Sequence, residues 1–441
     1  MYYNFFMTLQ LRQYIEAVDW ISPVEVRGRV TELVGLLIRA GVPGARVGEI
    51  CLIRSPHQHR ALRAEVVGFR GNEVILMPLG DIGDVAMGAE VISTGQSLRV
   101  RVGDALLGRV LNGLGEPIDN LGAIENTNEY SVMATPPDPM RRTRVTKPFA
   151  TGIRALDGIL TVGTGQRVGI FSAAGVGKST LLGMLARNTE AEVNVIALVG
   201  ERGREVRDFL EQDLGEAGLK RSVIIVATSN EPSLVRQKAA YVATAVAEYF
   251  RDQGKKVLFM MDSVTRFARA LREVGLARGE PPARAGFPPS VFSELPRLLE
   301  RTGNSDKGSI TAFYTVLVEG DDMTEPIADE TRSILDGHIV LSRGLASAGH
   351  YPAIDIGESV SRVMSAVASD AHVEAARKLR EVLATYEANK DLILIGAYKK
   401  GSDARTDYAI TKLDAVNSFL KQGTKENTPA VQSVNQLRRI W

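Results

Sequence analysis

A glycine-rich stretch that ends in lysine and serine is the part of the chain best suited to chemistry. It reads GIFSAAGVGKSTLL over residues 169–182 and contains Gly175, Gly177, Lys178 and Ser179. In such a motif the glycines let backbone N–H groups approach phosphate oxygens, and the lysine reaches the β- and γ-phosphates. The serine hydroxyl is a Mg²⁺ ligand. The motif therefore predicts a phosphate-binding loop.

The segments on either side of the loop support this interpretation, although Ser172 replaces the usual first glycine of the motif. The apolar segment RVGIF precedes the loop and the helical segment STLLGMLARN follows it. The phosphates would then lie at a helix N-terminus, which favours negative charge. Ser172 would mark the strand exit, where a small residue can turn the chain without contacting phosphate.

Two carboxylates follow apolar strands. The segment KKVLFMMD ends in Asp262, and VIALVGERGREV places Glu201 just after another strand. An aspartate at such a strand end lies on the Mg²⁺ side of nucleotide hydrolases, and it can also cap the helix that follows. A glutamate beside the phosphate loop can orient the attacking water. The residues alone are equally compatible with a solvated charged turn in which Glu201, Arg202, Arg204 and Glu205 pair with one another.

Composition excludes several classes of protein. The 441 residues suffice for two or three domains, and 53 basic against 52 acidic residues give no overall field for nucleic acid. No apolar run approaches the roughly 18 residues of a membrane span. The lone Cys51 excludes an internal disulfide and is predicted to be a buried apolar residue. His57 and His59 are interpreted as exposed, and His338 and His350 lack a ligand cluster.

Hydrophobic patterning divides the chain into four parts. Short strands broken by glycine predict a β-barrel over residues 24–98. Apolar strands that alternate with helices predict an α/β domain over 99–365, with one clear helix over 232–254. Helical spacing of apolar residues predicts a C-terminal α-helical domain over 366–441. Residues 1–23 are predicted to be an N-terminal segment, within which residues 2–20 have the pattern of a short amphipathic helix.

Five segments together resemble the type III secretion ATPases, which are relatives of the rotary F-type ATPase subunits. They are GQRVGIFSAAGVGKSTLL, LVGERGREVRDFL, VLFMMDSVTRFARALRE, GSITAFYTVLVEGDDMTEPIADETRSILDGHIVLSR and GHYPAIDIGESVSRVM. The likeness runs in the expected order from about residue 25 to 440. It implies an α/β, RecA-like P-loop ATPase core with an N-terminal β-barrel domain and a C-terminal α-helical domain. Family members often lack the first glycine of the motif, in agreement with Ser172.

The resemblance also implies a set of site residues. The implied catalytic residues are Lys178, Glu201, Arg202 and Arg362, of which Arg362 would be an arginine finger that enters the neighbouring subunit's site. The implied ATP contacts are Gly175, Val176, Gly177, Lys178, Ser179, Thr180 and Tyr351, whose ring would stack on adenine. Ser179 and Asp262 would hold the Mg²⁺ that accompanies ATP, Asp262 through water, with Arg266 close by.

The resemblance further implies a homohexameric ring that releases export cargo from chaperones and unfolds it at a membrane export gate. A central stalk protein would enter the ring, chaperone–cargo complexes would meet the C-terminal domain, and a stator-like regulator would meet the N-terminal residues. The implied location is cytoplasmic, peripheral on the inner membrane. The segment VEGDDMTEPIADETRSILDGHIVLSR favours the injectisome branch over the flagellar one.

Three alternatives share much of this machinery: a flagellar export ATPase, a rotary F- or V-type catalytic subunit, and an RNA-translocating ring. A non-catalytic rotary subunit would normally lack the glutamate at position 201. An RNA-translocating ring would need basic and aromatic residues interleaved on the strands of its front domain. The predicted strands of residues 24–98 contain only Phe69 as an aromatic residue, so no nucleic-acid partner is expected.

Overall fold

The computed structural model of the protein describes residues 25–55, 61–83 and 85–441. The predicted N-terminal segment 1–23 lies outside this part of the chain, as do His57 and His59. The interpretations given for them therefore stay predictions. Among the described residues, no helix combines the length and the apolar character that crossing a membrane requires.

The first compact unit, which ends at Leu98, is a closed antiparallel β-barrel, as the glycine-broken strands predict. Its strands are β1 (Arg27–Val34), β2 (Leu37–Gly41), β3 (Glu49–Arg54), β4 (Leu62–Arg70), β5 (Glu73–Pro78) and β6 (Glu90–Ser97). They follow the order β1-β2-β5-β4-β3-β6, and β6 closes on β1. Ile38, Ile53 and Leu76 are buried in its core together with Cys51. Cys51 is 0% exposed, which confirms the prediction of a buried apolar residue, and burial raises the pKa of its thiol to about 12.

The second compact unit, Arg99–Trp441, is built on a mainly parallel sheet. Its strands are β7 (Arg99–Val102), β8 (Val110–Asn112), β9 (Asn128–Ser131), β10 (Arg167–Ser172), β11 (Val193–Val199), β12 (Ser222–Ala227), β13 (Lys256–Asp262), β14 (Gly303–Asn304), β15 (Ser309–Leu317), β16 (Gly337–Leu341) and β17 (Ile354–Ser361). The sheet order is β17-β16-β10-β15-β13-β11-β12-β8, while β7 and β9 form a separate pair. Only β17 and β14 run antiparallel to their neighbours in this sheet, β16 and β15.

Helices cover both faces of this sheet. They are α1 (Arg154–Ile159), α2 (Lys178–Asn188), α3 (Gly203–Asp208), α4 (Gly215–Lys220), α5 (Ser233–Asp252), α6 (Val264–Ala277), α7 (Pro289–Leu299), α8 (Pro326–Ile334), α9 (Arg343–Ser347), α10 (Met364–Val367), α11 (Asp370–Leu394), α12 (Ala404–Leu420) and α13 (Ala430–Arg438). A π-helical segment, Phe209–Leu214, joins α3 to α4. Every residue of β11 and β12 is buried, as expected of parallel strands with covered faces. Helix α5 confirms the helix predicted over 232–254.

The predicted C-terminal helices share one hydrophobic core with the sheet. Leu379, Val416 and Leu437, from α11, α12 and α13, are buried in the same cluster as Leu156 of α1. The approach is close, because a Cβ on Gly158 would lie 2.8 Å from the ring of Phe419. Helix α1, which precedes strand β10 and the phosphate-binding loop, therefore packs against the C-terminal helices.

A buried ion pair joins α5 to the end of α7. Arg301 is 1% exposed, and its Nε donates to Glu248 at 2.9 Å while an Nη donates to the Val132 carbonyl at 2.8 Å. Replacing Glu248 alone would leave a buried guanidinium without its counter-charge, which costs about 3–5 kcal/mol.

We therefore expect Glu248→Leu to lower the midpoint of thermal unfolding of the second unit clearly. The double variant Glu248→Leu/Arg301→Met removes both charges and should recover most of that loss, because an apolar pair of similar volume is often as stable as the ion pair. Differential scanning calorimetry measures both. If Glu248→Leu unfolds at the wild-type temperature, the pair does not stabilise the fold in this way.

Candidate active site

The phosphate-binding loop begins where β10 ends, at Ser172, and runs to the first residue of α2, Lys178. Gly175 and Gly177 have φ values of +79° and +91°, a left-handed region that favours glycine. Val176 between them is buried and anchors the loop. Ser172 is buried at the strand exit, where its carbonyl accepts a hydrogen bond from Val318 N at 3.0 Å. The strand–loop–helix arrangement predicted from the motif is therefore present.

Lys178 reaches into a buried pair of carboxylates. Its ammonium contacts the carboxylate of Asp262 directly and lies 3.8 Å from Oε1 of Glu201. The three side chains are only 6–12% exposed. Asp262 ends β13 and Glu201 follows β11 by two residues. Because parallel strands end at the same edge of a sheet, the fold places these charges together at its carboxyl edge.

Arg266, from the first turn of α6, lies on the other side of Glu201. Its Nε is 3.6 Å from Glu201 Oε1, and neither atom has a hydrogen-bond partner. Gly200 makes this approach possible. It has a φ of +74°, and a Cβ there would lie 2.8 Å from Cδ of Arg266. The carboxylate of Glu201 thus lies between two cations, Lys178 and Arg266.

The environment of Glu201 favours its protonated form. Burial, and next the negative charge of Asp262, raise the pKa of Glu201 to about 7, while the ammonium of Lys178 opposes the shift. A carboxyl group that titrates near neutral pH can accept a proton at physiological pH and release it again. The unpartnered Oε1 leaves an acceptor available for a water molecule.

Thr315 belongs to the site and was missed by the sequence analysis. Its hydroxyl donates to Oδ1 of Asp262 at 2.7 Å, from β15, which pairs with β13 in parallel register. This bond fixes the carboxylate that also contacts Lys178. The signal in the sequence is weak, because Thr315 is one of three hydroxyl-bearing residues in the otherwise apolar run ITAFYTVLV, and an ordinary buried strand can contain such residues too.

The oxygen donors near the loop fit the Mg²⁺ that accompanies ATP. Ser179 is exposed in the first turn of α2 with Thr180 beside it, and Asp262 supplies a fixed carboxylate. Mg²⁺ prefers oxygen ligands and keeps several waters, so a hydroxyl and a water-linked carboxylate are suitable donors alongside substrate phosphates. Among the residues described, no group of three or more His, Cys, Asp and Glu side chains forms a dedicated metal cage.

Tyr351 lies against the phosphate-binding loop. A Cβ on Gly177 would be 3.5 Å from Cε1 of its ring. The ring is 43% exposed, so one face is open to a ligand. Tyr351 precedes β17, whose start pairs with the end of β16 at Leu341. The structure thus brings the predicted aromatic residue and the predicted loop together.

Two predicted arginines lie outside this cluster. The side chain of Arg202 is 72% exposed and lies 3.6 Å from Glu205. Arg362 follows β17 at the opposite edge of the sheet, and its amide donates to the Asp336 carbonyl, level with the start of β10. From there to the loop, β10 spans about 16 Å. The guanidinium of Arg362 therefore does not reach the Lys178 cluster of its own chain.

Comparison with known proteins agrees with this geometry. Residues 152–361 match the nucleotide-binding domain model of the ATP synthase alpha/beta family, and residues 30–95 match its beta-barrel domain. Residues 368–439 match the T3SS EscN ATPase C-terminal domain. The assembled ATPase EscN from the enteropathogenic E. coli type III secretion system has a TM-score of 0.89 at 48% identity, covering 94% of this chain and 99% of that chain.

Whole-length relatives come from two export systems. The flagellum-specific ATP synthase of Bacillus subtilis is 51% identical over 98% of this chain and 99% of the relative. The type 3 secretion system ATPase of Xanthomonas euvesicatoria is 54% identical over 90% of each chain. The chain belongs to the family of type III secretion and flagellar export ATPases. The predictions of family, fold class and ATPase activity are thereby confirmed.

In this export ATPase, the titration of Glu201 should appear in the rate. If its ionised carboxylate accepts a hydrogen bond from the attacking water, kcat/KM for Mg²⁺–ATP should rise with pH through an apparent pKa of about 7. Glu201→Gln should lower activity by about 10²–10⁴-fold, the usual contribution of a general base. A pH-independent rate, with Glu201→Gln still active, would contradict this assignment.

The stability of the folded protein should fall as pH rises, whereas kcat/KM should rise. Because the folded-state pKa of Glu201 lies above its unfolded value, folding must oppose its ionisation as pH rises toward 7. Glu201→Gln should therefore unfold at a higher temperature than the wild type at about pH 8. That difference should be much smaller at about pH 5, close to the ordinary pKa of 4.5, because the unfolded-state glutamate then gains little from ionising. Thermal unfolding of both proteins at about pH 8 and about pH 5 measures this difference. It tests the raised pKa of Glu201 independently of the reaction rate.

Proposed function

We propose that the chain hydrolyses Mg²⁺–ATP as a subunit of a homohexameric ring that energises type III protein export. The observation that carries the proposal is the buried cluster of Lys178, Glu201 and Asp262 beside the phosphate-binding loop. It has the parts that phosphoryl transfer to water requires: a cation for the phosphates, a Mg²⁺-side carboxylate and a group that holds water.

Each residue of the loop has a role in this proposal. Backbone N–H groups from Gly175 to Gly177 bind phosphate oxygens, and Thr180 lies near the α-phosphate. Lys178 exchanges its contact with Asp262 for the β- and γ-phosphates. Ser179 and Asp262 hold the Mg²⁺ that arrives with ATP, Asp262 through water.

The catalytic step uses Glu201. Its carboxylate orients a water molecule whose oxygen forms a bond to the γ-phosphorus as the bond from that phosphorus to the bridging β–γ oxygen breaks. The electrons of the broken bond leave with ADP, and the proton of the water passes to Glu201 or to the released phosphate. Arg266 fixes the carboxylate from the other side, and Arg202 is a charged neighbour at the edge of the site. Tyr351 stacks on adenine.

The position of Arg362 supports assembly into a ring. Its distance from the Lys178 cluster of its own chain means that, as an arginine finger, it would serve the site of a neighbouring copy. One chain carries both halves of the site, so identical copies can assemble complete sites head to tail, and such contacts make a ring when the rotation between copies closes. The structures of EscN described as assembled, and as a complex with its central stalk EscO, at TM-scores of 0.89 and 0.87, support an oligomer and a stalk partner.

The biological role follows from the family. We propose that the ring acts at the cytoplasmic face of the inner membrane, where it releases cargo from chaperones and unfolds it at the export gate. The C-terminal helices would meet chaperone–cargo complexes, and the N-terminal residues a stator-like regulator. The injectisome branch remains our prediction, and the flagellar branch is the alternative because relatives from both systems match at 51–54% identity.

Activity should depend on protein concentration. If Arg362 completes the site of a neighbour, dilution that separates the subunits should lower the specific activity toward that of an incomplete site. Arg362→Ala should be about 10³-fold less active or worse at every concentration, since such a finger is worth 10³–10⁵ in rate. Steady-state hydrolysis over a dilution series measures this, with sedimentation at the same concentrations.

The matched control is Arg343→Ala, which removes another arginine of the same unit, the first residue of α9. This variant should keep the wild-type concentration dependence. Specific activity that stays constant while sedimentation shows monomers would contradict a finger supplied by a neighbour.

A further inference from the structure

The segment between α12 and α13 passes close to the nucleotide side of the sheet domain. We call residues 421–428 the C-terminal loop. Its Thr428 N donates to the carbonyl of Gly152 at 3.1 Å, and its Thr424 carbonyl accepts from Arg187, near the end of α2, at 2.7 Å. The contact leaves no space at Gly152, where a Cβ would lie 2.4 Å from Oδ1 of Asn427. The C-terminal loop is thus packed against the start of α1 and the end of α2, the helices that come before and after β10 in the sequence.

Gln422 is the buried centre of this loop, at 5% exposure. Its Oε1 accepts the backbone N–H of Arg154 at 2.8 Å, and its Nε2 donates to the Gly152 carbonyl at 2.8 Å and the Glu426 carbonyl at 3.0 Å. Both hydrogen-bonding groups of the amide are used. A side chain held by three hydrogen bonds in a buried place has one orientation, so its own backbone is also fixed.

The backbone of Gln422 holds Tyr351. Its N–H donates to the carbonyl oxygen of Tyr351 at 2.9 Å. Tyr351 in turn places its ring against Gly177 of the phosphate-binding loop. A continuous set of contacts therefore runs from the N-terminus of α1, through the amide of Gln422, to the aromatic ring beside the site.

Arg154 strengthens the same anchor. Its Nε donates to the carbonyl of Phe419 at 2.9 Å, and its guanidinium also contacts Glu426 and the carbonyl of Lys421. The end of α12 and the C-terminal loop are therefore both bonded to the first residue of α1.

We propose that Gln422 is a positioning residue for the base of the nucleotide: it fixes Tyr351 so that the ring presents its open face where adenine binds. The proposal rests on the proposed function, because it takes the ligand to be a nucleotide. It adds that the C-terminal helices determine how well the base, as distinct from the phosphates, is held.

The proposal separates two parts of one ligand. The phosphates bind to residues 175–180 and to the cluster around Lys178, none of which Gln422 contacts through a hydrogen bond in the described structure. The base binds to the ring of Tyr351. Loss of the Gln422 amide should weaken contacts with the base and leave contacts with the phosphates unchanged.

The experiment compares Mg²⁺–ADP with Mg²⁺–pyrophosphate by isothermal titration calorimetry on the full chain. The test variant is Gln422→Met, which keeps the volume of the side chain and loses its hydrogen bonds. We expect it to bind Mg²⁺–ADP about fivefold to tenfold more weakly, a part of what stacking of a base on an aromatic ring is worth. Its affinity for Mg²⁺–pyrophosphate should equal that of the wild type. Arg187→Ala, which cuts a different bond to the same loop, should change neither affinity.

A double-mutant cycle with Tyr351→Ala shows whether Gln422 acts through the ring. In the Tyr351→Ala background, Gln422→Met should cost no further ADP affinity. In steady-state kinetics, Gln422→Met alone should raise KM for ATP several-fold at nearly constant kcat. The reason is that stacking of the base is made equally in the ground state and the transition state.

Three results would overturn the proposal: equal losses of ADP and pyrophosphate affinity, which would mark a general structural role; additive effects in the cycle; or unchanged ADP affinity in Gln422→Met. These outcomes are distinguishable from failure of the proposed function. That failure would appear in the wild type, as no binding of Mg²⁺–ADP and no hydrolysis of Mg²⁺–ATP.

Discussion

Two carboxylates and a single lysine share a buried place at the carboxyl edge of the sheet, and the surrounding structure is arranged to hold them there. Glu201 and Asp262 repel each other, and the ammonium of Lys178 lies within ion-pair distance of both. Burial, and next the negative charge of Asp262, therefore raise the pKa of Glu201. Thr315 fixes Asp262 through a hydrogen bond, and Arg266 faces Glu201 because Gly200 leaves room for it. Such a cluster is unfavourable for folding, which is expected where charge is kept for chemistry.

The same sheet separates the two halves of the proposed mechanism. β17 runs antiparallel to β16, so Tyr351 before this strand lies at the phosphate-binding loop and Arg362 after it lies at the opposite edge. In the proposed mechanism, this strand direction gives the chain an aromatic residue for its own site and an arginine for a neighbour's site. The C-terminal helices belong to the core of this unit, and Gln422, in the loop between two of them, donates a hydrogen bond to Tyr351, the residue that we propose faces the base. In our account the neighbouring subunit of the ring, the sheet and the segment between the C-terminal helices therefore each contribute residues to one active site.

Much of the fold was predictable because its signals are local. Glycine breaks and short strands predicted the barrel, fully apolar runs predicted the parallel strands, and Gly177-Lys178-Ser179 between strand and helix predicted the loop. Glu201 and Asp262 could be placed together because both follow parallel strands.

What the sequence could not predict depends on contacts between distant residues. Thr315 looks like any hydroxyl in an apolar strand until its register with β13 is known. Gln422 meets Arg154 across more than 260 positions, and nothing near either residue indicates the pairing. The π-helical segment Phe209–Leu214 has no distinctive composition. The role of Arg362 rested on resemblance, because its residue type and its neighbours are those of an ordinary surface arginine.

The central claim is that each active site combines Glu201 of one chain with Arg362 of another. The most direct measurement is ATP hydrolysis by Glu201→Gln and Arg362→Ala, each alone and after mixing in equal amounts under conditions that allow subunits to exchange. Our account predicts that each variant alone is inactive. The mixture should recover up to about a quarter of wild-type activity, because random assembly places intact Glu201 opposite intact Arg362 at about one interface in four. A mixture that stays inactive, although mixed rings have formed, would contradict the account.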